Sequence, residues 1–168
     1  MNVNCNRLGI ENIYAVNRDG IQLLDYYDVD ESELDRFQPL SSAYAVIFVK
    51  DKLLLGFNKY RKQWEAAAGK IEAGETPRCA AIRELYEENH QRAGQLAFKG
   101  VFRIFDPKHQ EIRYRSVFWG TLDALEPFHC TNVDEMERIL LWDFKSDIGY
   151  VDAVDIKMIE MINLQAEL

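Results

Sequence analysis

Residues Gly69 to Gln91 read GKIEAGETPRCAAIRELYEENHQ, and this stretch decides the fold. Its second half predicts a helix. Thr76 suits the N-cap, where its hydroxyl can accept from a free backbone N–H. Pro77 suits the first helical position, where its missing N–H is not needed. From Cys79 to Tyr86 nothing opposes a helix. At about 100° per residue, Glu84, Glu87 and Glu88 fall within an arc of about 100°, with Cys79, Ile82, Leu85 and Tyr86 expected on an opposite, packing side. Like charges at i,i+3 and i,i+4 repel by about 0.2–0.5 kcal/mol per pair, so three carboxylates on one face make better sense around a cation. Oxygen-only ligands suit a hard ion, Mg2+ or Mn2+, that keeps several waters and shares phosphate oxygens with a substrate. Arg83, eight residues after Glu75 and four before Glu87, can pair with either carboxylate. The plain alternative is a solvated acidic helix face.

The loop ahead of the helix weighs against that alternative. The spacing Gly69-x5-Glu75-x7-Arg83-Glu84-Leu85-x-Glu87-Glu88 resembles the signature of the Nudix hydrolase family. The family pattern continues with a glycine and an aliphatic residue, where this chain has His90 and Gln91. The glycine normally ends the helix in a left-handed conformation, which His90 or Asn89 can adopt at about 1 kcal/mol of strain. The departure therefore lies at the helix exit, away from the carboxylates.

The resemblance implies a Nudix-like α/β/α sandwich with a mixed β-sheet over about residues 41–165, and hydrolysis of a diphosphate linkage in a nucleoside diphosphate derivative. It implies Mg2+, with Mn2+ as a substitute, held by Glu84, Glu87, Glu88 and the backbone carbonyl of Ala68. Arg83 would position the carboxylates. A further carboxylate for the metal or for base catalysis would be Glu135, with Asp134 as second choice. Many family members carry Pro-Gly where this chain has Ala67-Ala68, and the Ala-Gly-Lys-Ile-Glu form is closer to the branch acting on nucleoside-diphosphate sugars. ADP-ribose hydrolases of the family carry a proline near the position of Pro107, but Asp106-Pro107 also reads as an ordinary turn. Against the isoprenoid-diphosphate isomerases that share the fold, none of Cys5, Cys79 and Cys130 stands in the loop ahead of the box. A different class remains open on sequence grounds: a Nudix-fold module that senses a nucleotide without turnover, motivated by His90 and Gln91.

The rest of the chain fits around this stretch. A length of 168 residues with 48% hydrophobic content predicts one domain with ample core material. Residues 41–168 are expected to form the main body, with 1–40 an N-terminal hairpin or extension of the same domain. A net charge of −8 argues against duplex nucleic acid as partner but not against a small nucleotide, whose phosphates a divalent ion can mask. No apolar run reaches the eighteen residues a membrane span needs, and the N-terminus lacks a secretory pattern. Three cysteines without CxxC spacing fit a reducing, cytoplasmic setting.

Asn17-Arg18-Asp19-Gly20 between Ile13–Val16 and Ile21–Tyr27 predicts a hairpin, which either covers an edge of its own sheet or serves a homodimer. Asp30 to Asp35 predicts a short capped turn of helix or an acidic loop. Tyr44–Val49 and Leu53–Phe57 are near-continuous apolar runs, as central strands covered on both faces would be. Lys59 and Arg61 ahead of the box and Lys70 within it are candidate substrate-binding cations, while Trp64 is expected to anchor the loop in the core. Leu96–Phe105 and Ile112–Leu122 predict a long hairpin with a five-residue turn, Arg138–Trp142 a further strand, and Asp152–Leu168 an amphipathic helix. His90, His109 and His129 have no metal-ligand spacing.

Overall fold

A computed structural model describes residues 12–166, with side chains described to Asn163; Cys5 and most of the N-terminal stretch read as lacking a secretory pattern lie outside the described residues. Nine strands and two α-helices follow in order: β1 (Ala15–Val16), β2 (Gln22–Tyr27), a 3-10 turn (Glu31–Arg36), β3 (Leu40–Val49), β4 (Lys52–Asn58), β5 (Gln63–Glu65), β6 (Ala67–Lys70), α1 (Pro77–Asn89), β7 (Ala97–Asp106), β8 (Glu111–Leu122), β9 (Met136–Trp142) and α2 (Ala153–Ala166). One sheet runs β1-β2-β7-β8-β3-β4-β5, with β6 added to β3 and β9 to β4. The β3–β8 pair is parallel and the other pairs are antiparallel, so the sheet is mixed.

β3 sets the layers. Its side chains alternate between two cores, as a strand's period of two requires. Tyr44, Val46 and Phe48 join Val154, Met158 and Ile159 of α2, while Ala43, Ala45 and Ile47 join Ala80, Ala81 and Leu85 of α1. The sheet is therefore sandwiched between helices, and the two apolar runs are its central strands. The α1 side is lined by small residues, Ala43, Ala45 and Ala67 against Ala80 and Ala81, and small residues let a helix axis come close to a sheet. Near its start β3 pairs with β6 (Ser42↔Lys70 to Ala45↔Ala67), and only its last residues pair with β4 (Phe48↔Leu53, Val49↔Lys52). β4 then pairs with β9 and β5. The sheet splits at this divergence, and β5, β6 and the chain leading to α1 occupy the split.

The N-terminal hairpin forms as read. Asn17 Oδ1 accepts from the N–H groups of Asp19 and Ile21, and Gly20 takes a φ of 80°. β2 pairs with β7 from Gln22↔Phe105 to Tyr27↔Val101, so this hairpin extends the same sheet, and the Pro39–Ser42 segment runs directly into β3. The long hairpin closes with the four residues Pro107 to Gln110 rather than five, because Asp106 still pairs with Glu111. Trp64 is buried, its indole N–H donating to Ile148 O at 2.7 Å.

Candidate functional site

Thr76 Oγ1 accepts from Cys79 N at 3.2 Å and α1 begins at Pro77, as the sequence predicts. The facing of α1 differs from the expectation. Ala80, Ala81, Leu85 and Asn89 are buried, whereas Cys79 is exposed and Ile82 and Tyr86 are each nearly half exposed. The reason is the alanine-lined contact with the sheet: the helix packs by Ala80, Ala81 and Leu85 and leaves Ile82 and Tyr86 at the edge. This rotation places Glu84 and Glu88 on the sheet-facing side, with Glu87 at its solvent edge.

Glu84 lies against the Gly69 backbone so closely that a Cβ built on Gly69 would stand 2.0 Å from Glu84 Oε1. Only glycine permits this approach. Glu88 Oε2 accepts from Ala68 N at 2.9 Å. Arg83 ties the loop to the helix: Nε and Nη2 donate to the two oxygens of Glu75 at 2.9 and 3.0 Å, and Nη1 donates to Glu84 (2.6 Å) and Glu87 (3.0 Å). Nη2 also donates to the Lys70 carbonyl at 3.0 Å. The guanidinium is held well above its ordinary range, first by its hydrogen bonds to Glu75, against burial and with help from Glu84 and Glu87. Glu75 moves the opposite way, pulled below the usual carboxylate range chiefly by Arg83.

A second acidic group stands beside the box. Asn58 Nδ2 donates to Glu65 Oε1 at 2.6 Å and to Glu135 Oε1, while its Oδ1 accepts from the backbone N–H groups of Tyr60 and Arg61. Arg61 donates to both Glu65 oxygens (3.2 and 3.3 Å) and approaches Glu135 at 4.0 Å. Burial pushes the Glu88 carboxyl well above its ordinary value. The Ala68 N–H opposes that shift, and Glu84, Glu65 and Glu135 reinforce it. Of the two candidate carboxylates before β9, Glu135 thus reaches the box. Asp134 instead closes a turn, accepting from Thr131 N at 2.6 Å. Among the candidate cations, Arg61 and Lys70 line the cleft beside the box, whereas Lys59 spends its ammonium on Asn132 O at 2.9 Å.

Among the described residues, no group of three or more His, Cys, Asp or Glu side chains stands in metal-ligating geometry, since Arg83 engages Glu84 and Glu87 and the Ala68 N–H engages Glu88. The donors nevertheless fit a hard divalent ion. They are all oxygens, they adjoin the Gly69 cradle, and Glu88 is buried beside three other carboxylates with too little local positive charge to balance them.

The cleft next to the box has two compartments, of about 450 and 680 Å³, which share Tyr44, Arg61, Ala68 and Arg115. The sequence reading missed Glu65, Asn58, Tyr44, Asp155, Arg113 and Arg115 as site residues. The last two carried a usable signal, because Ile112-Arg-Tyr-Arg alternates at the strand period and so puts both guanidinia on one face. The others are distant in sequence and carried none.

The NUDIX domain model matches residues 39–143. The chain belongs to the Nudix family. Hydrolases of this family generally use divalent metals. The fold is similar to that of a mutant form of the Bacillus subtilis pyrophosphohydrolase BsRppH, with a TM-score of 0.67 at 15% identity over 91% of this chain and 94% of that one. It is also similar to the Nudix domain of Shewanella oneidensis NrtR, solved in complex with ADP ribose, with a TM-score of 0.62 at 13% identity over 82% and 99% of the two chains. A mouse relative, diphosphoinositol polyphosphate phosphohydrolase 2, is 36% identical over 62 residues, which make up 37% of this chain and 35% of the relative. The match thus spans about a third of that relative's length. Among the described residues, no helix of this Nudix protein is long and apolar enough to cross a membrane.

Proposed function

We propose that this Nudix protein hydrolyses the diphosphate linkage of a nucleoside diphosphate derivative in an Mg2+-dependent reaction, with Mn2+ able to substitute. The observation that carries the reading is the buried Glu88 carboxyl, which has Ala68 N–H as its hydrogen-bond donor and Glu84, Glu65 and Glu135 as neighbours. Glu84, Glu87, Glu88 and the Ala68 carbonyl would hold the ion, which when bound supplies charge neutralisation to the phosphoryl oxygens and acidity to the attacking water. Arg83, bonded to Glu75, Glu84 and Glu87, would hold the helix carboxylates in register with the loop ahead of them. Glu135, which accepts from Asn58 and lies near Arg61, would take the proton from that water. Arg61 and Lys70, at the mouth of the cleft, would bind the phosphates.

The sensor reading rested on His90 and Gln91, and both have structural work at the helix exit that costs the box nothing. His90 takes the left-handed conformation (φ 54°) and Gln91 is fully buried in hydrogen bonds to backbone. The test is a panel of ADP-ribose, nucleotide sugars, oxidised nucleoside triphosphates and dinucleoside polyphosphates with Mg2+ or Mn2+, read by product identity. Glu88→Gln is expected to abolish turnover while the protein keeps its circular dichroism spectrum. Full activity in that variant, or nucleotide binding with no turnover of any member in the wild type, would overturn the hydrolase reading.

A further inference from the structure

Asn58 ends β4 and is fully buried. The pairing of β4 with β9 shifts register between Phe57 and Asn58, which sets Asn58 opposite Met136 and so beside Glu135, the residue ahead of β9. A carboxamide has two N–H donors and two acceptor lone pairs, and Asn58 spends all four within the protein. Its Nδ2 donates to Glu65 Oε1 at 2.6 Å and to Glu135 Oε1. Its Oδ1 accepts from Tyr60 N and Arg61 N, each at 3.0 Å. The network fixes which way the amide points, because a flip would turn its oxygen toward two carboxylates and its nitrogen toward two N–H groups. With no bonding capacity left and no exposed surface, Asn58 acts only through the groups it holds.

Those groups do not depend on it equally. Glu65, 6% exposed, also accepts from Gln63 Nε2 at 2.8 Å and from Arg61 Nη1 on both oxygens, at 3.2 and 3.3 Å. Glu135 is different. Its backbone is tied, with its carbonyl accepting from Lys59 N at 3.1 Å, but its side chain is 46% exposed. Among the described residues its carboxylate accepts no hydrogen bond besides that from Asn58, and its ion-pair partner Arg61 stands 4.0 Å away. A half-exposed glutamate has several rotamers open to it, and a rigid buried donor selects one of them. The same amide fixes the turn that carries Arg61, which closes with Lys62 N donating to Asn58 O at 2.8 Å and Gln63 pairing with Asn58.

We infer that Asn58 is a positioning residue: its Nδ2 holds the Glu135 carboxylate in one rotamer while its Oδ1 holds the Arg61 turn, so that the two functional groups keep a fixed spacing. This rests on the hydrolase reading above, in which Glu135 takes the proton and Arg61 binds phosphate. The residue type follows from the two tasks. Aspartate has the acceptor for the turn but sets a third carboxylate against Glu65 and Glu135. Serine has a hydroxyl that can hold the turn, though more weakly, and is one bond too short for the carboxylates.

The experiment is a double-mutant cycle of Asn58→Ser and Glu135→Gln on the panel member that turns over fastest, with a crystal structure of Asn58→Ser as a readout free of activity. Asn58→Ser is expected to lower kcat about tenfold or more and to leave KM within about twofold. Glu135→Gln should lower kcat by about 100-fold or more, the worth of a general base. Asn58→Ser added to Glu135→Gln should cost less than about twofold further, because the group it positions is already gone. In the crystal, the Glu135 carboxylate should leave its place while Glu65 and Arg61 keep theirs. Full activity in Glu135→Gln, a kcat within about twofold of wild type in Asn58→Ser, or an equal loss from Asn58→Ser in both backgrounds overturns the positioning role. So does a Glu135 carboxylate that stays in place without the amide. Asn58→Asp, of the same shape as the wild type, carries the cycle if Asn58→Ser does not fold, and loss of the fold in both makes Asn58 a core residue and overturns the role too. The two readings fail separately: wild-type turnover with any of these results sinks the positioning role alone, whereas no wild-type turnover of any panel member sinks the hydrolase and leaves Asn58 no reaction to serve.

Discussion

The loops ahead of and behind α1 are tied to it by different chemistry. At the front, one guanidinium collects three carboxylates and a carbonyl: Arg83 bonds Glu75, Glu84, Glu87 and Lys70 O. At the exit the fastening is neutral. Gln91 is fully buried, its Oε1 accepting from Glu126 N at 2.7 Å and its Nε2 donating to the carbonyls of Glu126 and Asn89, each at 2.9 Å. His90 adds a ring contact to Phe128 at 4.8 Å and accepts from His129 N at 3.3 Å. The front shapes the site directly. The exit pins the segment that runs on, through the Thr131–Asp134 turn, to Glu135. Where the chain keeps the family pattern it uses charge to fasten a loop, and where it departs it uses an amide.

The comparison can be broken first at Arg83. Arg83→Gln frees Glu75, Glu84 and Glu87 from one another, and a box misplaced by about 1 Å is expected to lose about 100-fold in kcat/KM. Retention of wild-type kcat/KM would show that the front does not depend on its guanidinium. Gln91→Leu restores the aliphatic residue of the family pattern but strips Glu126 N–H and C=O of their partner. A loss of about 1–3 kcal/mol of stability in urea unfolding is expected, with a smaller effect on kcat/KM than at Arg83. A variant as stable as the wild type would show that the exit clamp is dispensable.

The smallest effect is in pH. Glu88 has its folded value raised by burial, against the Ala68 N–H and with help from neighbouring carboxylates. Its contribution to stability is therefore present below the unfolded carboxylate value and lost as pH rises through the folded value. Glu88→Gln in chelator should melt above the wild type at pH 8, and the gap should narrow toward pH 5. Gln91→Leu should show a gap independent of pH over that range, because an amide does not titrate. Parallel pH profiles for the two variants would remove the distinction between a charged front and a neutral exit.

The hairpins, the central strands, the box helix with its Thr76 cap and the core role of Trp64 were legible because each follows from local pattern: turn residues, apolar runs, a cap and a spacing. The facing of α1 was not. Angular arithmetic grouped Glu84, Glu87 and Glu88 correctly but took Ile82 and Tyr86 as the packing side. Which side of a helix packs depends on the partner surface, and here that surface is alanines on β3 and β6. The sequence likewise could not show that Lys59 Nζ donates to the Asn132 carbonyl, 73 residues away along the chain.

By itself the sequence determined the family, the mixed sheet between helices and the carboxylates of the box, because a spacing of glycine, glutamates and arginine along one loop and one helix is local information. Only the tertiary structure decided that Glu65, Asn58 and Glu135 stand beside that box, and that Tyr44 on β3, Arg115 on β8 and Asp155 on α2 enclose one cavity. Those residues meet through strand pairing and helix docking across long separations, where the energy lies in burying two sheet faces and leaves no local mark on the side chains that end up at the rim.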